Sequence, residues 1–137
     1  MKKTKNECCN VVGIQKKSMQ DFKGLPIYDC IVLRYAIGYL DDDQASNVLE
    51  KFGTYLKSYG TKNARKAKRG SFILVQDQIL PLFAKEIFDE GQRVRQQKTL
   101  LKIFEQANLE IFEESMPEEL HTEMEKVKIW ALYPKDK

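Results

Sequence analysis

His121 is the only histidine of the chain, and it stands among Glu118, Glu119, Glu123 and Glu125. An imidazole beside carboxylates can act as a base or hold a metal. Serine and cysteine nucleophiles usually need such a base, and zinc usually needs several nitrogen or sulfur ligands. One imidazole with scattered glutamates fits neither well, so a solvated histidine on an acidic helix is expected. Asp41, Asp42 and Asp43 could attract a cation, yet no EF-hand spacing with a glycine and a distal glutamate follows them. Carboxylates at a helix start have a simpler use, as acceptors for free N–H groups at the positive end of the dipole. Cys8, Cys9 and Cys30 contain no Cys-x-x-Cys pair and are odd in number. Reduced thiols, without a disulfide framework or a zinc site, are therefore expected. The sequence has no Gly-x-Gly-x-x-Gly, no Gly-x-x-x-x-Gly-Lys-Ser/Thr and no Gly-x-Ser-x-Gly. No catalytic, metal-ligating or cofactor-binding residue is expected, and no cofactor.

Two other features can bind. Lys62, Arg65, Lys66, Lys68 and Arg69 form a basic segment without an acid. Such a cluster can neutralise phosphates of a nucleic acid. As a helix it would place Lys62, Arg65, Lys66 and Arg69 on one face. A helix-turn-helix over 44–69 is a poor fit, because only Ala64 and Ala67 of its second helix could pack inward. The other feature is the tail with Trp130, Leu132 and Tyr133, side chains that commonly anchor a partner. Packing back over the core is its alternative use, since exposing such a cluster invites aggregation.

The elements that would carry these features come next. The chain has 137 residues, 42% hydrophobic and 31% charged, enough apolar material for one folded domain. Residues 1–70 carry 14 Lys/Arg against 7 Asp/Glu, and residues 71–137 carry 9 against 13, a basic half and an acidic half. No stretch reaches the roughly 18 apolar residues of a membrane span, and no signal-peptide core follows the N-terminal lysines. A cytoplasmic location is expected, with no membrane contact.

A polar basic segment over 1–20, loosely packed, precedes a single helical domain over 21–137. Tyr28, Ile31, Val32, Tyr35, Ala36 and Tyr39 recur at helical spacing after Pro26, with a strand over Cys30 to Ile37 as the competing reading. A second helix follows the aspartates to about Tyr59, through Val48, Phe52, Tyr55 and Leu56. A third runs from Ser71 through Phe72, Val75, Ile79, Phe83 and Ile87, and Pro81 must kink it. A fourth opens at Asp89–Gln92 and carries Leu100, Leu101, Phe104, Ala107, Ile111 and Phe112. Ser115-Met116-Pro117-Glu118 opens a short last helix. The fold class expected is all-α, an irregular bundle of four to five helices. That picture requires that Cys30–Ile37 and Phe72–Leu80 are not neighbouring strands.

With no catalytic constellation, the sequence points to a non-enzymatic helical protein that binds another macromolecule. A protein partner or a second copy comes first, as for an adaptor, regulator, inhibitor or small subunit. Nucleic-acid binding through residues 62–69 is the alternative. No small-molecule substrate is indicated.

Overall fold

The computed structural model describes residues 17–57, 70–81, 85–89, 91–118 and 126–135. It overturns the all-α expectation. Cys30–Arg34 forms strand β1, Asp42–Thr54 helix α1, Phe72–Leu80 strand β2, Ile87–Asp89 strand β3 and Gln92–Gln96 strand β4. Gln97–Gln106 forms helix α2, Leu109–Ser115 strand β5 and Lys126–Pro134 strand β6. The fold is α/β, and β1 and β2 are the parallel neighbours that a bundle forbids.

Physical reasons for the correction lie in the apolar runs. Ile31-Val32 and Ile73-Leu74-Val75 are rich in β-branched residues, which lose side-chain freedom in a helix and fit a pleated surface. Burial in β2 then follows a period of two, with Ile73, Val75, Asp77 and Ile79 buried on one face. The proline expected to kink a third helix lies just past the end of β2 instead. The expected fourth helix shrinks to α2, and its last apolar pair, Ile111 and Phe112, belongs to β5. The tail around Trp130 is β6, antiparallel to β2 on one side and to β5 on the other.

On the other edge of β2, β1 pairs along Phe72–Gln76 and β4 at Ile79 and Leu80. Helices α1 and α2 lie together, joined by Ser46 Oγ donating to Ile103 O at 3.4 Å. Beneath them Leu33, Ile73, Val75, Trp130 and Leu132 pack with Leu49, Phe52, Ile103 and Phe104 in one core. Phe104 meets Trp130 edge-on at 5.3 Å between centroids. The capping reading of the aspartates holds. Asp41 accepts from Gln44 N–H at 2.8 Å and Gln44 Oε1 accepts from Asp41 N–H at 3.0 Å.

Candidate functional site

In open α/β sheets, ligands settle outside the carboxyl ends of parallel strands. Here those ends are the exits of β1 and β2. β1 leaves through Tyr35, a non-glycine residue at φ +53°, a strained conformation that concentrates at functional turns. Three bonds hold it. Its N–H donates to Gln76 O at 2.8 Å. Gln76 Nε2 donates to its Oη at 3.0 Å, and Gln92 Nε2 to its carbonyl at 3.4 Å. A single 3-10 turn, Ile37–Tyr39, follows and leaves the Tyr39 side chain 62% exposed above it.

Arg95, from β4, fixes that turn from beneath. Its Nε donates to Asp42 Oδ1 at 2.8 Å, Nη1 to Ile37 O at 3.1 Å and Nη2 to Leu40 O at 2.5 Å. The rigid planar fork meets three acceptors in a fixed geometry that a lysine's compact, rotatable ammonium does not supply. Arg93 Nη1 reaches the same Asp42 oxygen at 3.5 Å.

Asp77 lies on the helix-covered face of β2 at 4% exposure. Burial pushes its carboxyl up to about 6, against the Gln78 N–H it accepts from and the Arg95 charge, which both pull it down. Lys128, opposite it on β6, donates to Glu114 Oε1 at 2.8 Å and Gln97 Oε1 at 3.1 Å. These charges are internal. What the strand ends turn outward is the Tyr39 ring, the Arg34 side chain and, partly, the Tyr35 and Gln92 side chains. Such a surface can orient a ligand by hydrogen bonds and ring contact.

Sequence reading missed these residues. A visible signal existed: Gln76-Asp77-Gln78 interrupts the apolar run from Phe72 to Leu80, and a polar triplet in a buried segment calls for a purpose. Of the residues singled out from sequence, Lys62, Arg65, Lys66, Lys68, Arg69 and His121 lie outside the described residues. Trp130 and Leu132 are fully buried and Tyr133 nearly so. Trp130 and Leu132 belong to the core under the helices, while Tyr133 stacks on Phe112 at 4.3 Å between centroids, and Trp130 Nε1 meets no acceptor among the described residues. Also among the described residues, no group of three His, Cys, Asp or Glu could hold a metal, and no helix is long and apolar enough to cross a membrane.

No family model and no curated protein matches the chain. Solved structures do. A SAM-dependent methyltransferase from Leishmania major superposes with a TM-score of 0.69 at 20% identity, over 85% of this chain and 43% of its own. One from Methanosarcina mazei gives 0.62 at 12%, over 88% and 66%. The O-methyltransferase NcsB1 of neocarzinostatin biosynthesis, solved with S-adenosyl-L-homocysteine and 1,4-dihydroxy-2-naphthoic acid, gives 0.54 at 18%, over 85% and 32%. The chain thus spans less than half of the Leishmania protein.

These likenesses fix the fold, and they correct the functional expectations built on a bundle. The non-enzymatic adaptor or regulator, with no small-molecule substrate, loses its basis. The bundle on which it rested is replaced by an α/β sheet among the described residues, and the similar structures are enzymes, one of them holding a small aromatic acid. The nucleic-acid alternative gains nothing from them.

The fold brings a cofactor, S-adenosylmethionine, into question. A dinucleotide-type grip needs a glycine-rich turn that lets backbone approach the ligand and an acid at a strand end for the ribose. The turn from Arg34 to Asp41 holds one glycine, Gly38. A Cβ there would stand 2.8 Å from Gln92 Cγ and 2.9 Å from Arg93 O, so its bareness admits β4, not a ligand. Asp77 is buried and Asp42 is held by Arg95. The residues described do not fit an adenosyl group by themselves. What the chain shares with the SAM-dependent methyltransferases it superposes on is the fold of the sheet.

Proposed function

We infer that this chain supplies the acceptor-side part of a methyltransferase, orienting the molecule to be methylated at the carboxyl ends of β1 and β2. One observation carries this reading: β6 runs antiparallel between β2 and β5, and the sheet so formed superposes on the Leishmania enzyme over 85% of the chain. Tyr35 and Tyr39 would flank the acceptor, Gln92 would offer an amide, and Arg95 would keep the turn that carries both rings in place. Holding two reactants in line removes much of the entropic barrier to their reaction. This is a positioning task, and the site's hydrogen-bonding side chains on a fixed turn suit it.

Tritium transfer from methyl-labelled S-adenosylmethionine tests the reading, using the protein isolated under native conditions from its own host. We expect incorporation into an acceptor. In the Tyr39→Ala protein, the acceptor KM should rise about tenfold, as for loss of a ground-state contact. The ring is exposed, so stability should hold. No incorporation into any protein or small-molecule fraction overturns the reading.

A further inference from the structure

Three charged side chains lie buried on the helix-covered face of the sheet: Asp77 of β2, Arg95 of β4 and Lys128 of β6. Asp77 and Lys128 are direct partners in the antiparallel ladder. Such partners share a face with their Cβ atoms about 5 Å apart, a gap that a flexible four-carbon lysine stem spans. Yet the ammonium turns elsewhere. Lys128 Nζ lies 2.8 Å from Glu114 Oε1 and 3.1 Å from Gln97 Oε1, over the Trp130 ring at 5.9 Å from its centroid. One side chain thereby clips β6 to β5 and to the first residue of α2.

The two acids differ in what they lose without the lysine. The Glu114 side chain is 49% exposed, so water replaces the ammonium there. Asp77 is buried, and a buried carboxylate left ionised without a partner is costly. It accepts one hydrogen bond, from Gln78 N–H. Arg95 stands near, but its fork is committed to Asp42, Ile37 O and Leu40 O. The other charges on the surrounding elements point away. Arg93 of β4 leans on Asp42 of α1 at 3.5 Å. Arg34 of β1, Lys98, Lys102 and Glu105 of α2, and Lys126 at the start of β6 are exposed. Among the described residues, Lys128 is the cation that stands opposite Asp77 and holds an acid that solvent can take over.

We propose that Asp77 and Glu114 compete for Lys128, and that the proton on Asp77 decides the winner. With Asp77 protonated, the lysine clips β6 to β5 and α2, as described here. With Asp77 ionised, it crosses the ladder to Asp77 and releases Gln97. A switch of this kind needs a local charge change and an element with two arrangements, and the lysine supplies the second. The Asp77 carboxyl, pushed up to about 6 with the lysine turned away, comes down again once the lysine arrives, because a close cation favours the charged form. Gln97 lies two residues beyond Arg95, so its release loosens the junction behind the turn that carries Tyr39. None of this depends on the methyltransferase reading.

NMR on the isotope-labelled chain, titrated from pH 4 to pH 8, tests the exchange. Nuclear Overhauser contacts of the Lys128 ε-methylene should pass from Gln97 to the Asp77 Hβ protons, with the midpoint of the Asp77 carboxyl. The Gln97 side-chain amide should shift in the same step. In Asp77→Asn the lysine should stay on Gln97 at both ends of the range. In Lys128→Met the Gln97 step should vanish and the Asp77 midpoint should rise by about one pH unit, as the ionised form loses its partner. Lysine contacts that stay with Gln97 while Asp77 titrates overturn the proposal, a result that needs no variant. A Gln97 step that survives in Lys128→Met also overturns it, since the amide then reports the charge and not the lysine.

Discussion

Two edges of one sheet are built differently. β5 reads Leu-Glu-Ile-Phe-Glu-Glu-Ser, with Glu110, Glu113 and Glu114 along it and a bulge between Ile111 and Glu113. Carboxylates and a bulge discourage further strands. β1 carries neither, and its outward residues are apolar up to Arg34. One edge is finished by its own sequence. The other has the composition of an interior strand. The contrast teaches that exposure alone does not define an edge; what matters is whether the side chains would tolerate a neighbour.

Four changes would break or sharpen that contrast, the largest effect first. The strand between the edges should carry the fold. Trp130→Ala removes the largest fully buried side chain, and urea unfolding should show a loss of about 3–5 kcal/mol, the range for an aromatic deleted from a core. Removing the Arg95 fork takes the 2.8 Å donor from Asp42, which keeps only Arg93 at 3.5 Å, and one donor each from Ile37 O and Leu40 O. Arg95→Met should cost about 3 kcal/mol by the same measurement, as for a broken buried pair, and should free the turn that carries Tyr39.

Asp77 gives a pH signature inside the sheet. Its folded carboxyl titrates at about 6, against 3.8 for an ordinary aspartate. The folded state thus holds its proton to higher pH, and stability falls as pH rises from about 4 to about 6. That span corresponds to roughly 2–3 kcal/mol at most. Stability measured at pH 4 and pH 7 should show the loss in the native protein and a smaller one in Asp77→Asn. The smallest effect belongs to β1, whose outer edge no strand pairs among the described residues. Val32→Lys should change the stability of the chain alone by less than about 0.5 kcal/mol, as for an exposed site. A loss near that of a core substitution would mean that β1 is already covered.

Legibility in the sequence differed by element. The start of α1 was readable because Asp41, Asp42 and Asp43 mark a helix N-terminus and Val48 and Phe52 recur at helical spacing, although the helix ends at Thr54 and not near Tyr59. The core of α2 was readable for the same reason, through Leu100, Leu101, Phe104 and Ala107. The strands were not. Phe72–Leu80 is a nearly continuous apolar run, and such a run satisfies a helical stripe as well as a buried strand. Its β-branched content favoured the strand, but only pairing with β1 and β6 decides the matter. The site was less readable still. Tyr35, Gln92 and Arg95 are separated by up to 60 residues and meet only because β4 lies beside the β1 exit.

Amide hydrogen exchange across β1 in the isolated chain tests the central claim most directly. The structure predicts alternation: slow exchange at Ile31, Leu33 and Tyr35, whose N–H groups face β2, and fast exchange at Cys30, Val32 and Arg34. From Ile73 to Gln76 of β2, which is paired on both sides, every amide should be slow. Uniform protection through residues 30–35 would contradict an open edge, and with it the difference between the two edges of this sheet.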